Sequence, residues 1–107
     1  KLRQRPPMEP SPQFERRKKA YSQRREQFLR DAHPQALLKL KASGRLAEHL
    51  DQIGEEAAEA YESQEGQLRN NPDAPKETAE RMAYFQAIPL IAEEIVLNDV
   101  VFVPPSP

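Results

Sequence analysis

The sequence predicts an all-α protein: a small bundle of three to four helices, completed by pairing with a second copy, with extended N- and C-terminal tails. Three observations carry this. Apolar residues recur every three or four positions through residues 46–68 and again through 82–95, the period of helices with one buried face. Prolines stand where helices open or break, at Pro12, Pro34 and in "NNPDAP". The body between Pro34 and Leu97 is so short that one core barely offsets the chain entropy, which calls for help from another chain.

The elements follow in order. "RPPMEPSP" concentrates prolines, so residues 1–11 are expected to form a disordered lead-in; Met8 is a candidate start, and the first ten residues lack the apolar run of an export signal. Ser11 then Pro12 is a helix opening, a hydroxyl cap followed by a proline in the first turn. The first helix is expected over 12–31, and His33-Pro34 ends it because a residue before proline avoids the α region. Pro34 opens a short second helix, and Gly44 punctuates its end. Leu46, Leu50, Ile53, Ala57, Tyr61 and Leu68 mark a long amphipathic third helix, whose alanines favour close packing over a thick core. "NNPDAP" is a turn, from which Asp73 or Ala74-Pro75 opens a fourth helix carrying Met82, Phe85, Ile88, Ile91 and Ile95. Pro89 predicts a kink or a break inside it. "NDVVFVPPSP" changes character, and its β-branched run ending in prolines suits an edge strand or an extended segment over 98–107. In the favoured architecture, the third and fourth helices of two copies form a four-helix bundle, a homodimer around the acidic body 34–97.

The net charge of −1 hides a segregation. Residues 1–30 carry ten Lys and Arg against three Asp and Glu, and residues 31–107 carry six against fourteen. This is a basic arm on an acidic body. On the arm, Phe14, Tyr21 and Phe28 fall on one helical line, with Arg17, Lys18, Arg24 and Arg25 beside it. The aromatics fill one of the two lines a coiled-coil seam needs, so the helix is half a seam. The favoured reading is a protein–protein interaction. The three aromatics enter a partner's apolar groove, the arginines set the register, and Val101, Phe102 and Val103 add to a sheet edge of that partner. The rival reading is a nucleic-acid contact through the seven basic residues between Arg16 and Arg30, and a third is an intramolecular latch in which the arm covers the acidic helix. Residues 37–54 follow the order of a helix-turn-helix, but the second helix is acidic where a recognition helix is basic. For a membrane surface, the apolar face is only three aromatics wide.

Cysteine is absent, which excludes disulfides and thiolate chemistry and fits a reducing, cytoplasmic setting. No apolar stretch is long enough to span a bilayer. Glycine loops for phosphate, nucleophile elbows and HExxH are missing, and His33 and His49 have no ligand-spaced partner. They are expected to be a cap next to proline and a rim residue of an amphipathic helix. The expectation is therefore no cofactor and a non-enzymatic accessory or regulatory protein. One constellation offers an alternative. Glu55, Glu56 and Glu59 spell E-E-x-x-E, with Glu55 and Glu59 one turn apart, where a hard cation such as Mg2+ could find oxygen ligands. This resembles half of the motif in the all-α, MazG-like nucleoside triphosphate pyrophosphohydrolases. That family adds E-x-x-D on a following helix; the candidate here is Glu77-x-x-Glu80, with Glu in place of Asp. The resemblance implies Mg2+-dependent cleavage between the α and β phosphates, the carboxylates holding metal that activates water. The opposing reading is a solvated acidic face.

Overall fold

The computed structural model describes residues 11–106, so most of the proline-rich lead-in lies outside the described residues. The fold is all-α: α1 (Pro12–Ala32), α2 (Pro34–Ala42), α3 (Leu46–Arg69), α4 (Thr78–Val96) and a closing π-helical turn, Leu97–Val101. Ser11 caps α1 as its sequence predicts, its hydroxyl accepting from the Phe14 amide at 3.0 Å. His33 serves both as the end of α1 and the start of α2, without a side-chain capping bond. Gly44 adopts φ 73°, the left-handed geometry that ends α2 and turns the chain into α3.

α3 is the centre of the fold. α1 runs antiparallel along one side of it and α4 along the other, and the backbones of α1 and α4 do not approach one another. The π turn brings the C-terminal end back to α1, so Tyr21, Ala57, Tyr61, Ala92, Val96 and Val101 close one core. α1 and α3 come closest at Gly54. A Cβ there would overlap the Ser22 hydroxyl and lie 2.6 Å from the Lys18 carbonyl oxygen. Ser22 Oγ donates to the Leu50 carbonyl at 2.7 Å across the same crossing. The chain measures 54 × 35 × 20 Å, with a radius of gyration of 16.8 Å. A compact domain of this length has about 13 Å, so the molecule is long and flat.

Four expectations need correction. The arm is not an arm: α1 packs along α3 and buries Phe14, Tyr21 and Leu29, which is the latch geometry. α4 starts at Thr78 and not near Pro75. Asn71 Oδ1 accepts from the Asp73 amide at 2.9 Å and holds the turn open, while the Glu77 carboxylate caps the helix by accepting from the Glu80 amide at 3.3 Å. Pro89 does not break α4, which runs unbroken from Thr78 to Val96; Pro89 is exposed, where water can take the carbonyl that loses its helical donor. No strand forms among the described residues: Leu97–Val101 stays helical, and the chain leaves helical structure at Phe102.

Candidate partner interface

Arg25 organises the region where α1 meets the C-terminal turn. It lies four residues beyond Tyr21 and four before Leu29, hence on the buried line of α1, and only 3% of its surface is exposed. Its Nη1 donates to the Val101 carbonyl at 2.9 Å and the Val103 carbonyl at 2.5 Å, and its Nε donates to His49 Nε2 at 3.2 Å. Burial alone pulls the guanidinium below its ordinary value. The His49 imidazole is pulled down by its own burial and then by the Arg25 charge, against a smaller opposing pull from Glu56. Accepting from Arg25 requires His49 Nε2 to be unprotonated, which agrees with that direction.

Phe28 and Phe102 meet on the outer side of this clasp. Their ring centroids are 5.4 Å apart, and the Arg24 guanidinium lies 5.8 Å from the Phe102 ring. With Gln27 and Asp31 they line an open, mostly apolar notch of about 360 Å3. Arg24 also reaches Glu93 at 3.6 Å, a pair in which both side chains are about half exposed and which holds little. Val103 is exposed beside Phe102 in sequence, whereas its carbonyl is taken by Arg25.

The ten residues singled out from sequence therefore divide. Arg24, Arg25, Phe28, Val101, Phe102 and Val103 come together, although they derive from opposite ends of the chain. The other four are spent inside the molecule. Phe14 and Tyr21 are buried; burial pushes the Tyr21 phenol up to about 12, helped by Glu93. Arg17 lies 3.9 Å over the Tyr61 ring. Lys18 pairs with Asp51 at 3.1 Å, and that hydrogen bond above all raises the ammonium's proton affinity. Three aromatics entering a partner's groove is thus not a geometry the folded chain offers. Nor can Val101 to Val103 add as a strand, since Val101 is buried in a π turn and two of their carbonyls are bonded to Arg25.

The acidic constellation does not assemble. Glu55, Glu56 and Glu59 are exposed on α3, and Glu77 caps α4. Packing sets Ala57 and Tyr61 against Ala92 and Val96, so Glu80 stands twelve residues or more away along α4, about 18 Å at the helical rise. Among the described residues no three His, Cys, Asp or Glu side chains form a group able to hold a metal ion. The same residues show no helix long and apolar enough to cross a membrane.

Residues 6–101, through all four helices to the last residue of the π turn, match the transposon-encoded protein TnpV family. The chain belongs to that family. TnpV is described by the element that encodes it, which fits a small accessory protein and says nothing of nucleotide hydrolysis. No curated protein and no solved structure matches the chain. Within the TnpV match lie Arg25 and Val101, while Phe102 and Val103 fall just beyond it.

Two features of this region escaped the sequence reading. One is Gly54, a glycine inside a helix beside Ala57 and Ala58, a pattern that signals close backbone approach. The other is the burial of Arg25, whose signal was its position four residues after Tyr21.

Proposed function

We propose that this TnpV-family chain is a non-enzymatic accessory factor that holds a protein partner on the notch between Phe28 and Phe102. The observation that carries the proposal is the juxtaposition of these half-buried rings, from α1 and from the segment after the π turn, around an open apolar notch. A partner loop or helix presenting one apolar side chain fits it. Arg24 and Asp31 on the rim offer opposite charges to set register, and the weak Arg24–Glu93 pair leaves Arg24 free to turn toward a partner carboxylate.

The test is a photocrosslinking amino acid placed at Gln27, on the notch, in cells carrying the parent element, with Gln67 on α3 as the remote control. One discrete protein adduct from position 27, absent from position 67 and lost when Phe102→Asp is added, is the expected result. The same adducts from both positions would end the proposal. Circular dichroism of the Phe102→Asp chain separates loss of contact from loss of fold.

A nucleic-acid contact is the second reading, and intrachain use of the basic residues counts against it. Between Arg16 and Arg30, Arg17, Lys18, Arg25 and Arg30 are each engaged within the molecule. Among the described residues, Arg16, Lys19 and the loosely held Arg24 remain on α1, with Lys39, Lys41 and Arg45 further along, few for the phosphate contacts that dominate such affinity. Tight binding to duplex DNA that collapses with rising salt and is lost in the Arg16→Glu/Lys19→Glu chain would reverse this preference.

The homodimer belongs to the same proposal. Met82, Leu90 and Ile91 are 58%, 74% and 36% exposed on α4, and the flat shape leaves that helix covered on one side only. A second copy laid on α4 would complete the bundle.

A further inference from the structure

A second recess, sharing no residue with the notch, opens between α2, the first half of α3 and the C-terminal segment, with a volume of about 830 Å3. Arg25 and His49 line it, and Lys39 and Arg45, both exposed, stand along it. Leu40, Ile53 and Val100 supply apolar wall.

Arg25 is nearly fully buried, yet no carboxylate among the described residues pairs with it. Buried charges are ordinarily paired, because an uncompensated one is costly. Its neutral partners are two carbonyls and an imidazole, which occupy Nη1 and Nε, and the Phe28 ring, whose centroid lies 5.5 Å from the guanidinium carbon. Nη2 has no partner among the described residues, and it is not sealed in the interior, since no buried side-chain nitrogen there lacks a bond. In a guanidinium, Nε–H and one Nη2–H form a single fork suited to an oxyanion. His49 takes the Nε tine, so the Nη2 tine lies beside the imidazole, on the recess that both residues line.

We propose that this recess binds a small organic monoanion, a carboxylate head with a short apolar body. The head sits on Arg25 Nη2 within reach of Lys39 and Arg45, and the body lies against Leu40 and Ile53. Charge favours a monoanion over a dianion: Arg25, Lys39 and Arg45 face Glu56 and Asp99 on the same walls, a surplus of one positive charge when His49 is neutral. The apolar wall favours a body over a bare inorganic ion. The anion supplies the counter-charge that Arg25 lacks.

The experiment is a two-dimensional NMR titration of the full chain with octanoate, reading the Arg25 Nε–H and His49 ring signals, with octanol and inorganic phosphate as head-free and body-free probes. Octanoate is expected to shift both signals saturably at millimolar concentration while the other two do not. The Lys39→Glu/Arg45→Glu chain, altered only at exposed positions, should keep its circular dichroism and bind octanoate about tenfold more weakly or worse. No saturable shift with octanoate, an equal response to octanol, or unchanged affinity in the double variant would each overturn the proposal.

Discussion

Replacing Gly54 by alanine tests the closest contact in the fold. In the interior of a helix this change ordinarily stabilises by about 0.8–1 kcal/mol, because glycine loses more backbone freedom on folding. Here the new Cβ would meet the Lys18 carbonyl oxygen at 2.6 Å and overlap the Ser22 hydroxyl. The first of these is backbone and cannot swing aside, so α1 and α3 must separate. Overpacking of this kind costs about 1–3 kcal/mol. Separation also strains the Ser22-to-Leu50 hydrogen bond, a contribution of about 1 kcal/mol. With the propensity gain subtracted, Gly54→Ala should destabilise by about 1–3 kcal/mol, and each 1 kcal/mol lowers Tm by about 4–8 °C in a domain of this size. Gly66 is the internal control, on the same helix with nothing within 4 Å of its Cβ position. There the propensity term acts alone, and Gly66→Ala should stabilise by about 0.8–1 kcal/mol. Urea unfolding followed by circular dichroism at 222 nm measures both. A Gly54→Ala chain as stable as the Gly66→Ala chain would mean that α1 does not lie against α3 at this crossing.

Two further outcomes follow from the same geometry. His49 has its proton affinity lowered in the folded chain by burial and by Arg25, so the unfolded chain binds the extra proton more readily. Its contribution is present above the unfolded value of about 6.5 and is lost as pH falls below it. The urea midpoint should therefore drop on acidification through that window, with Arg25 opposing the proton and Glu56 favouring it, and the dependence should flatten in His49→Gln, whose amide oxygen still accepts from Arg25. An identical pH profile in that variant would show that the imidazole is not coupled to the clasp. Leu90→Glu should convert a dimer to a monomer in sedimentation equilibrium without changing the helical signal; a wild-type chain that is monomeric at high protein concentration would remove the second copy from α4.

Elements set by local chemistry are legible in the sequence. Ser11 with Pro12, Pro34 after His33, and the stripe from Leu46 to Leu68 each declare a helix through capping, fixed φ or apolar period, and each stands where expected. The start of α4 turns on local bonds of Asn71 and Glu77 that the sequence also carries, whereas the fate of the basic helix and of the C-terminal segment depends on partners distant in sequence. The basic residues of α1 suggest a solvated or partner-seeking arm, because nothing local reveals that Asp51 and the Tyr61 ring wait across α3. Arg25 is hardest of all, since its acceptors are main-chain carbonyls, and main-chain groups carry no residue signature. "VVFVPP" has strand-like composition, yet Val101 is held by burial in the core and an extended ladder has no neighbouring strand among the described residues. The candidate site was legible in part for the same reason. Phe28 and Phe102 stood out as aromatics near basic or proline-rich segments, whereas their pairing across the chain is a tertiary fact.

The clasp between Arg25 and the Val101 carbonyl joins positions 76 residues apart in the chain. During synthesis α1 is made before the turn that closes over it, so it emerges with Phe14, Tyr21 and Leu29 uncovered and a guanidinium that lacks its acceptors until Leu97–Val101 follows. Contacts of such long range are slow to close. Emergence of Leu97–Val101 is then the event that locks the fold, because a chain interrupted before Val101 leaves the Arg25 guanidinium without its carbonyl acceptors.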